Sequence, residues 1–481
     1  MNFLIPVLLN LAGSLALPEL RLSKVQGGSR TALAGRGLYG RDDDSLSVTI
    51  FNIASYGNEG GEYCINMGTP PQTQVVWVST TSSDMVINAV EPVCDHLDYA
   101  TCRATFFAKE QSSTYHVENG SAVMNLTYGD SYSAGPYAYD TFGIGDAKIE
   151  GVGFVLAETA VNTWGYDQGW VGIEYSAGQQ PSLVDNLVSA GVIASRLFSL
   201  YLNEADQVSG SVLFGGIDTS KYSGVLRTTN LLPAWITPGS GETNASSIVD
   251  NFITTITAIS VSNNYSVSFV TSGGTDSISA YDTAEALPVL LSTSSPYWSI
   301  PSALYDSIVS SLWFLDSQGA FSCSSVPIGV SLTIEIAGEI SITIPSNDFV
   351  LPRYNTSTNK PVPYKDGTDT CYLAMYPEDW DAAGHYWTFG TSFMRSMYLV
   401  FDLDNGQVSI AQAVPASEQS PNVVAVDAGV SGVARALNGT IISTRQNDHT
   451  IEGGQTPTGI SLIAQGITTV GTATGSAADP D

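Results

Sequence analysis

From about Ser47 to Ala413 the chain alternates short runs of Val, Ile, Thr, Tyr and Phe with Gly, Pro, Asn and Asp. These runs recur about every 8 to 12 residues, the spacing of strands in an all-β protein. Helical signals are few: Pro181 to Ala190 and Pro301 to Trp313, each opening at a proline that suits a first helical turn because its missing N–H leaves no bond unmade. The ends read differently. An apolar run from Phe3 to Leu11 followed by Ser14-Leu15-Ala16 predicts a secretory signal over 1–16. Arg21, Lys24, Arg30, Arg36 and Arg41 then make 17–45 a basic, propeptide-like arm ending in Asp42-Asp43-Asp44. Residues 414–481 hold no aromatic and no cysteine, and predict a flexible Ser/Thr/Gly-rich tail.

An internal echo runs through the strand-like part. Val75-Val76-Trp77-Val78-Ser79-Thr80-Thr81-Ser82 resembles Pro288-Val289-Leu290-Leu291-Ser292-Thr293-Ser294-Ser295, 213 residues later. Each half later has a short aromatic phrase closed by glycine, Gly169-Trp170-Val171-Gly172 and Trp387-Thr388-Phe389-Gly390. A duplicated, two-lobed β protein accounts for both.

Of the 481 residues, 43% are hydrophobic and 13% charged, and 46 Asp+Glu against 17 Lys+Arg leave a net charge of −29. Such a chain buries real cores but repels phosphate backbones and anionic membranes, which sets nucleic acid aside as a partner. After the leader no stretch approaches the roughly 20 apolar residues of a membrane-spanning helix. Five cysteines are present. Cys94 and Cys102 lie close enough to staple a local loop and Cys323 with Cys371 would close a longer one, leaving Cys64 as a buried or reactive thiol. Sequons at Asn119, Asn125, Asn244, Asn264, Asn355 and Asn438 fit a secreted glycoprotein. His96, His116, His385 and His449 are scattered and no CxxC occurs, so no metal and no cofactor is expected.

Several phrases in order resemble the pepsin-like aspartic endopeptidases, above all their fungal yapsin and candidapepsin branch. They are Gly68-Thr69-Pro70-Pro71-Gln72, Tyr128-Gly129-Asp130, Phe198 to Leu202, Gly210 to Asp218 and Arg395 to Gln412. The resemblance implies an all-β, bilobal fold with a cleft between lobes 47–230 and 231–413 and a few short helices. It also implies a flap at Tyr128-Gly129-Asp130 that closes over peptide, with Thr80 and Thr293 bonding across the lobes. That family carries Asp-Thr-Gly or Asp-Ser-Gly once per lobe, whereas this chain has Ser79-Thr80-Thr81 and Ser292-Thr293-Ser294. The reaction needs two carboxylates sharing one proton, one to deprotonate a water and one to protonate the scissile carbonyl. A serine hydroxyl does neither. Ser131 also stands where the family's flap usually has glycine.

The expectation is therefore a secreted, monomeric pseudoprotease that holds an extended peptide or protein in its cleft and has no catalytic residue at the degenerate positions Ser79 and Ser292. Two alternatives stay open: an active endopeptidase on a non-standard site, and an inhibitor or receptor-like wall protein on the same fold. Asp84 as a displaced base, or Ser79 or Ser292 with His385, would serve the first, although no GxSxG elbow surrounds either serine. The end of the chain, Gly475 to Asp481, lacks the hydrophobic tail of a lipid-anchor signal, so release is expected.

Overall fold

The computed structural model describes residues 40–442 apart from 43–44, 53–60, 90–105, 118–122, 129–130, 146, 162–168, 177–180, 205–208, 233–248, 263–266, 270–286, 313, 316–318, 356–359, 379–386, 416–420, 431 and 440. Strands dominate it, as the punctuated β-branched runs predict. The hairpin Ser331–Ile336 and Ile340–Pro345 shows the reason at residue level. Its sequences SLTIEI and ISITIP alternate apolar and polar, and Leu332, Ile334, Ile336, Ile340, Ile342 and Ile344 are all buried while the residues between them face outward.

The first half of the chain lies in a 16-stranded sheet. Toward one end of it run Ser45–Asn52, Ser209–Phe214, Leu197–Tyr201, Met397–Asp402, Gln407–Ala413 and Tyr222–Asn230, each bonded to the next. The closing hairpin Met397 to Ala413, which the sequence assigns to the second lobe, thus pairs with strands of the first. A separate 6-stranded sheet carries the second half through Ile340–Pro345, Ser331–Ile336, Ile253–Ser262, Leu287–Leu291 and Trp387–Phe389. Phe198, Phe252 and Phe401 pack between the two halves, with ring centroids 4.8 Å (Phe198–Phe401), 4.5 Å (Phe252–Phe401) and 5.7 Å (Phe198–Phe252) apart. Each such buried ring contributes about 1.5–3 kcal/mol by leaving water, so this trio is a main bond between halves.

The two expected helices are present but shorter, at Leu183–Ser189 and Ser302–Ser310. The prolines do not sit in their first turns. Pro301 occupies the N-cap position, and Pro181 precedes the cap Ser182, whose Oγ accepts from Asp185 N at 3.3 Å while Asp185 Oδ2 accepts from Ser182 N at 3.0 Å.

The tail departs from expectation where it begins. Val423–Ala425 pairs with Gly216–Asp218, Ser195 Oγ donates to Val426 O at 2.6 Å, and a helix follows at Gly432–Leu437. Val426, Val433 and Ala434 are buried, the first two against Leu197, Ile217 and Val400 on the outer face of the shared sheet. The composition of this stretch lacks aromatics, but a few valines suffice to cover a sheet face that would otherwise stay wet. The arm also contributes structure, since Gly40–Asp42 pairs with Ser45–Ser47. The leader region 1–16 and residues 443–481 fall outside the described residues.

Cys323–Cys371 is a disulfide, joining segments where Ala320–Ser322 pairs with Thr370–Leu373. Cys94 and Cys102 lie outside the described residues, and Cys64 is half-buried within Gly61–Met67. Replacing Cys323 and Cys371 by alanine is expected to cost up to about 4 kcal/mol, the chain-entropy value for a loop of this length; a denaturant titration of the double variant checks it. Among the sequons, Asn355 and Asn438 are exposed and Asn125 lies in the strand Val123–Tyr128, while Asn119, Asn244 and Asn264 fall outside the described residues. Among the described residues no helix is long and apolar enough to cross a membrane.

Candidate functional site

The echo in the sequence becomes a local two-fold in space. Gln72–Ser79 runs parallel to Gly169–Gly172, with Gly172 opposite Ser79. Leu287–Leu291 runs parallel to Trp387–Phe389, with Phe389 opposite Leu291, and Ser292 N donates to Phe389 O at 3.0 Å. In each half the apolar strand is wedged between neighbours and releases the chain into the Ser-Thr turn at the molecular centre. The closing glycines let the turns pack: a Cβ on Gly172 would stand 2.2 Å from Ser82 O, and one on Gly390 2.4 Å from Tyr297 O and 2.5 Å from Ser295 O. Gly390→Ala drives a Cβ into the backbone of residues 295–297 and is expected to destabilise the protein by about 3 kcal/mol, at the upper end of overpacking costs, as a fall in the urea midpoint.

The two threonines form a reciprocal clasp. Thr80 N donates to Thr293 Oγ1 at 3.0 Å and Thr293 N to Thr80 Oγ1 at 2.9 Å. Each hydroxyl then donates into the opposite strand, Thr80 Oγ1 to Leu291 O at 2.8 Å and Thr293 Oγ1 to Val78 O at 2.6 Å. Thr80 is fully buried and Thr293 nearly so. One hydroxyl thereby satisfies a donor and an acceptor that burial would otherwise leave orphaned.

Above the clasp lies a cluster of hydroxyls that the sequence reading did not assemble. Ser79 Oγ is 3.1 Å from Ser294 Oγ and 3.3 Å from Thr81 Oγ1, and Thr81 Oγ1 is 3.1 Å from Ser294 Oγ. The halves match again in their backbone: Thr81 N donates to Ser79 Oγ at 3.3 Å and Ser294 N to Ser292 Oγ at 3.2 Å. Ser79 and Ser292 are buried, Thr81 is half-buried and Ser294 exposed. The signal that could have found this triangle is the equal spacing of Ser79 to Thr81 and Ser292 to Ser294 in the two repeats. Chemically it is a neutral group that both donates and accepts hydrogen bonds and gives up no proton at physiological pH.

Asp84 is tied to this loop through its backbone, its N–H donating to Ser82 Oγ at 3.1 Å and its carbonyl accepting from Gly172 N at 2.8 Å; burial raises its carboxyl above the usual range. Tyr128 pairs with Ser131 at the end of the hairpin Val123–Tyr128 and Ser131–Ile144. Gly129, Asp130 and His385 fall outside the described residues. Among the described residues, no three His, Cys, Asp or Glu side chains gather in a metal-binding cluster.

The family description "Eukaryotic aspartyl protease" matches residues 62–413. The chain is 26% identical over 388 residues to a "Probable aspartic-type endopeptidase OPSB" of Arthroderma benhamiae, covering 77% of this chain and 72% of that one. An "Acid protease" of Saccharomycopsis fibuligera is 29% identical over 390 residues, covering 79% and 86%. "Secreted aspartic protease 7" of Candida albicans is 27% identical over 369 residues, covering 73% and 59%.

Proposed function

Because the chain belongs to the eukaryotic aspartyl protease family, we propose that it is a secreted, catalytically silent member whose cleft binds an extended peptide or protein segment without cutting it. The carrying observation is the hydroxyl triangle of Ser79, Thr81 and Ser294, with Ser292 beneath, at the point where the two repeats meet. On this reading Ser79 and Ser292 stand at the positions of the family's two aspartates. Neither can take a proton from water or lend one to a peptide carbonyl in the window where a carboxyl pair does. The direct contact of Ser79 with Ser294 also spans the lobes where the family holds its attacking water.

Binding needs less than catalysis. Main-chain hydrogen bonds to a strand-like ligand come from the sheet edges and the flap, and do not involve the lost carboxylates. The threonine clasp keeps the two walls at a fixed separation. Secretion is supported by the apolar leader and by secreted relatives such as that of Candida albicans. Calorimetric titration with apolar hexapeptides tests the reading. Each charged hydrogen bond absent is worth about 1.5–3 kcal/mol, so affinity is expected to be about micromolar or weaker. Tyr128→Ala is expected to weaken it further. No heat of binding, or binding indifferent to Tyr128, would move the ligand site out of the cleft.

A further inference from the structure

Below the hydroxyl triangle, the segments that brace the two turns pack against each other, and each carries a carboxyl group, Glu174 on one and Asp250 on the other. On the first side Ile173 N donates to Ser79 O at 2.9 Å and Glu174 N to Ser82 O at 3.1 Å, so residues 173–174 hold the Ser79 turn from behind. On the second side Leu291 N donates to Phe252 O at 3.0 Å, so residues 250–252 back the strand that ends at Ser292. The ring of Tyr175 packs on that of Phe252 with centroids 5.5 Å apart, which brings the two braces together. Glu174 is only 7% exposed, and its Oε1 has no hydrogen-bond partner among the described residues. A buried carboxylate with an unbonded oxygen is costly; a neutral carboxyl is far less so. We infer that buried Glu174, on the brace that packs against the Asp250–Phe252 segment of the other lobe, holds a proton in the folded protein, which keeps the floor of the cleft together at acid pH and loosens it as the pH rises.

Among the described residues, the charges around Glu174 leave it no uncommitted cation. Asp250, which accepts from Asn251 Nδ2 at 2.7 Å, adds negative charge from the facing segment, and Asp84 stands on the braced loop. On the side of Tyr175 the charged groups are Arg196, Asp402 and Asp404. Arg196 is already committed, its Nε 2.8 Å from Asp404 Oδ1 and its Nη1 3.5 Å from Asp185 Oδ1. Asp402 accepts two bonds from Asn405, at 3.1 and 2.8 Å. Burial first, and then the Asp250 charge, push the Glu174 carboxyl from its ordinary 4.5 up to about 9; burial also raises Asp250.

The direction follows from proton counting. Between pH 4.5 and about 9 the folded protein holds a proton on Glu174 that the unfolded chain releases. Its stabilising proton is fully in place below that window, and the folded-to-unfolded ratio falls by up to about tenfold per pH unit as pH rises through it. The effect is independent of whether the cleft takes peptide.

The experiment uses the full chain. Urea unfolding from acid to mildly alkaline pH is compared for wild type, Glu174→Gln and Asp250→Asn, together with amide exchange of segments 169–176 and 287–295. Wild type is expected to lose stability as pH rises, and Glu174→Gln to remove about tenfold per pH unit of that loss and to level exchange in both segments at once. Asp250→Asn, by removing the facing charge, is expected to end the window at lower pH. Should Glu174→Gln fail to fold, the wild-type and Asp250→Asn profiles still decide the matter. A Glu174→Gln profile parallel to wild type, exchange that changes in one segment alone, or an Asp250→Asn window that does not move would overturn the proposal.

Discussion

Replacing Thr80 and Thr293 together by valine is expected to destabilise the protein by about 4 kcal/mol or more, because it strips partners from groups that cost about 1–3 kcal/mol each when buried and unbonded. The groups are Thr80 N, Thr293 N, Leu291 O and Val78 O, with bonds of 2.6 to 3.0 Å in the intact clasp. Valine matches threonine in shape, so the loss is one of hydrogen bonds rather than of packing. Thr80→Ser with Thr293→Ser keeps both hydroxyls and is expected to cost a small part of this. A lowered urea midpoint at unchanged slope, in the valine pair only, is the signature. Equal loss in both pairs would mean that the methyl groups matter as much as the hydroxyls, and loss in the serine pair alone that packing rather than hydrogen bonding holds the lobes.

Restoring carboxylates is the second large effect. Ser79→Asp and Ser292→Asp, with Thr81→Gly and Ser294→Gly to reopen the approach, are expected to raise acid proteolysis at least about a hundredfold above wild type, the lower end of what proton transfer contributes. Pepstatin is expected to abolish the gain. The argument is geometric: Ser79 Oγ accepts from Thr81 N at 3.3 Å and Ser292 Oγ from Ser294 N at 3.2 Å, so the two turns present positions 79 and 292 in the same way on either side of the threonine clasp. An inactive quadruple variant that still folds would place the loss of function elsewhere, with Ser131 in the flap the next residue to change.

Much of this was legible in the sequence because it repeats. Ser79-Thr80 and Ser292-Thr293 announce themselves twice at the same register, and the structure joins the threonines across that spacing. The strands were equally readable, since an alternation such as SLTIEI leaves one face to bury. The covering segment 421–442 was not, because a few valines carry no period long enough to distinguish a packed strap from a loose tail. Glu174 was missed for another reason. A single acidic residue in Gly172-Ile173-Glu174-Tyr175 reads as solvent-facing, and only the fold shows that Ile173 and Glu174 itself are backbone supports of the Ser79 turn.

The central claim is that this member of the family does not hydrolyse peptides. The most direct measurement is digestion of a broad peptide library by the purified wild-type protein at acid pH, with new N-termini counted against a protein-free control. The account predicts no cleavage above that background, with or without pepstatin. Cleavage that pepstatin blocks and Asp84→Ala abolishes would contradict it and show that a displaced carboxylate does the work of the missing pair.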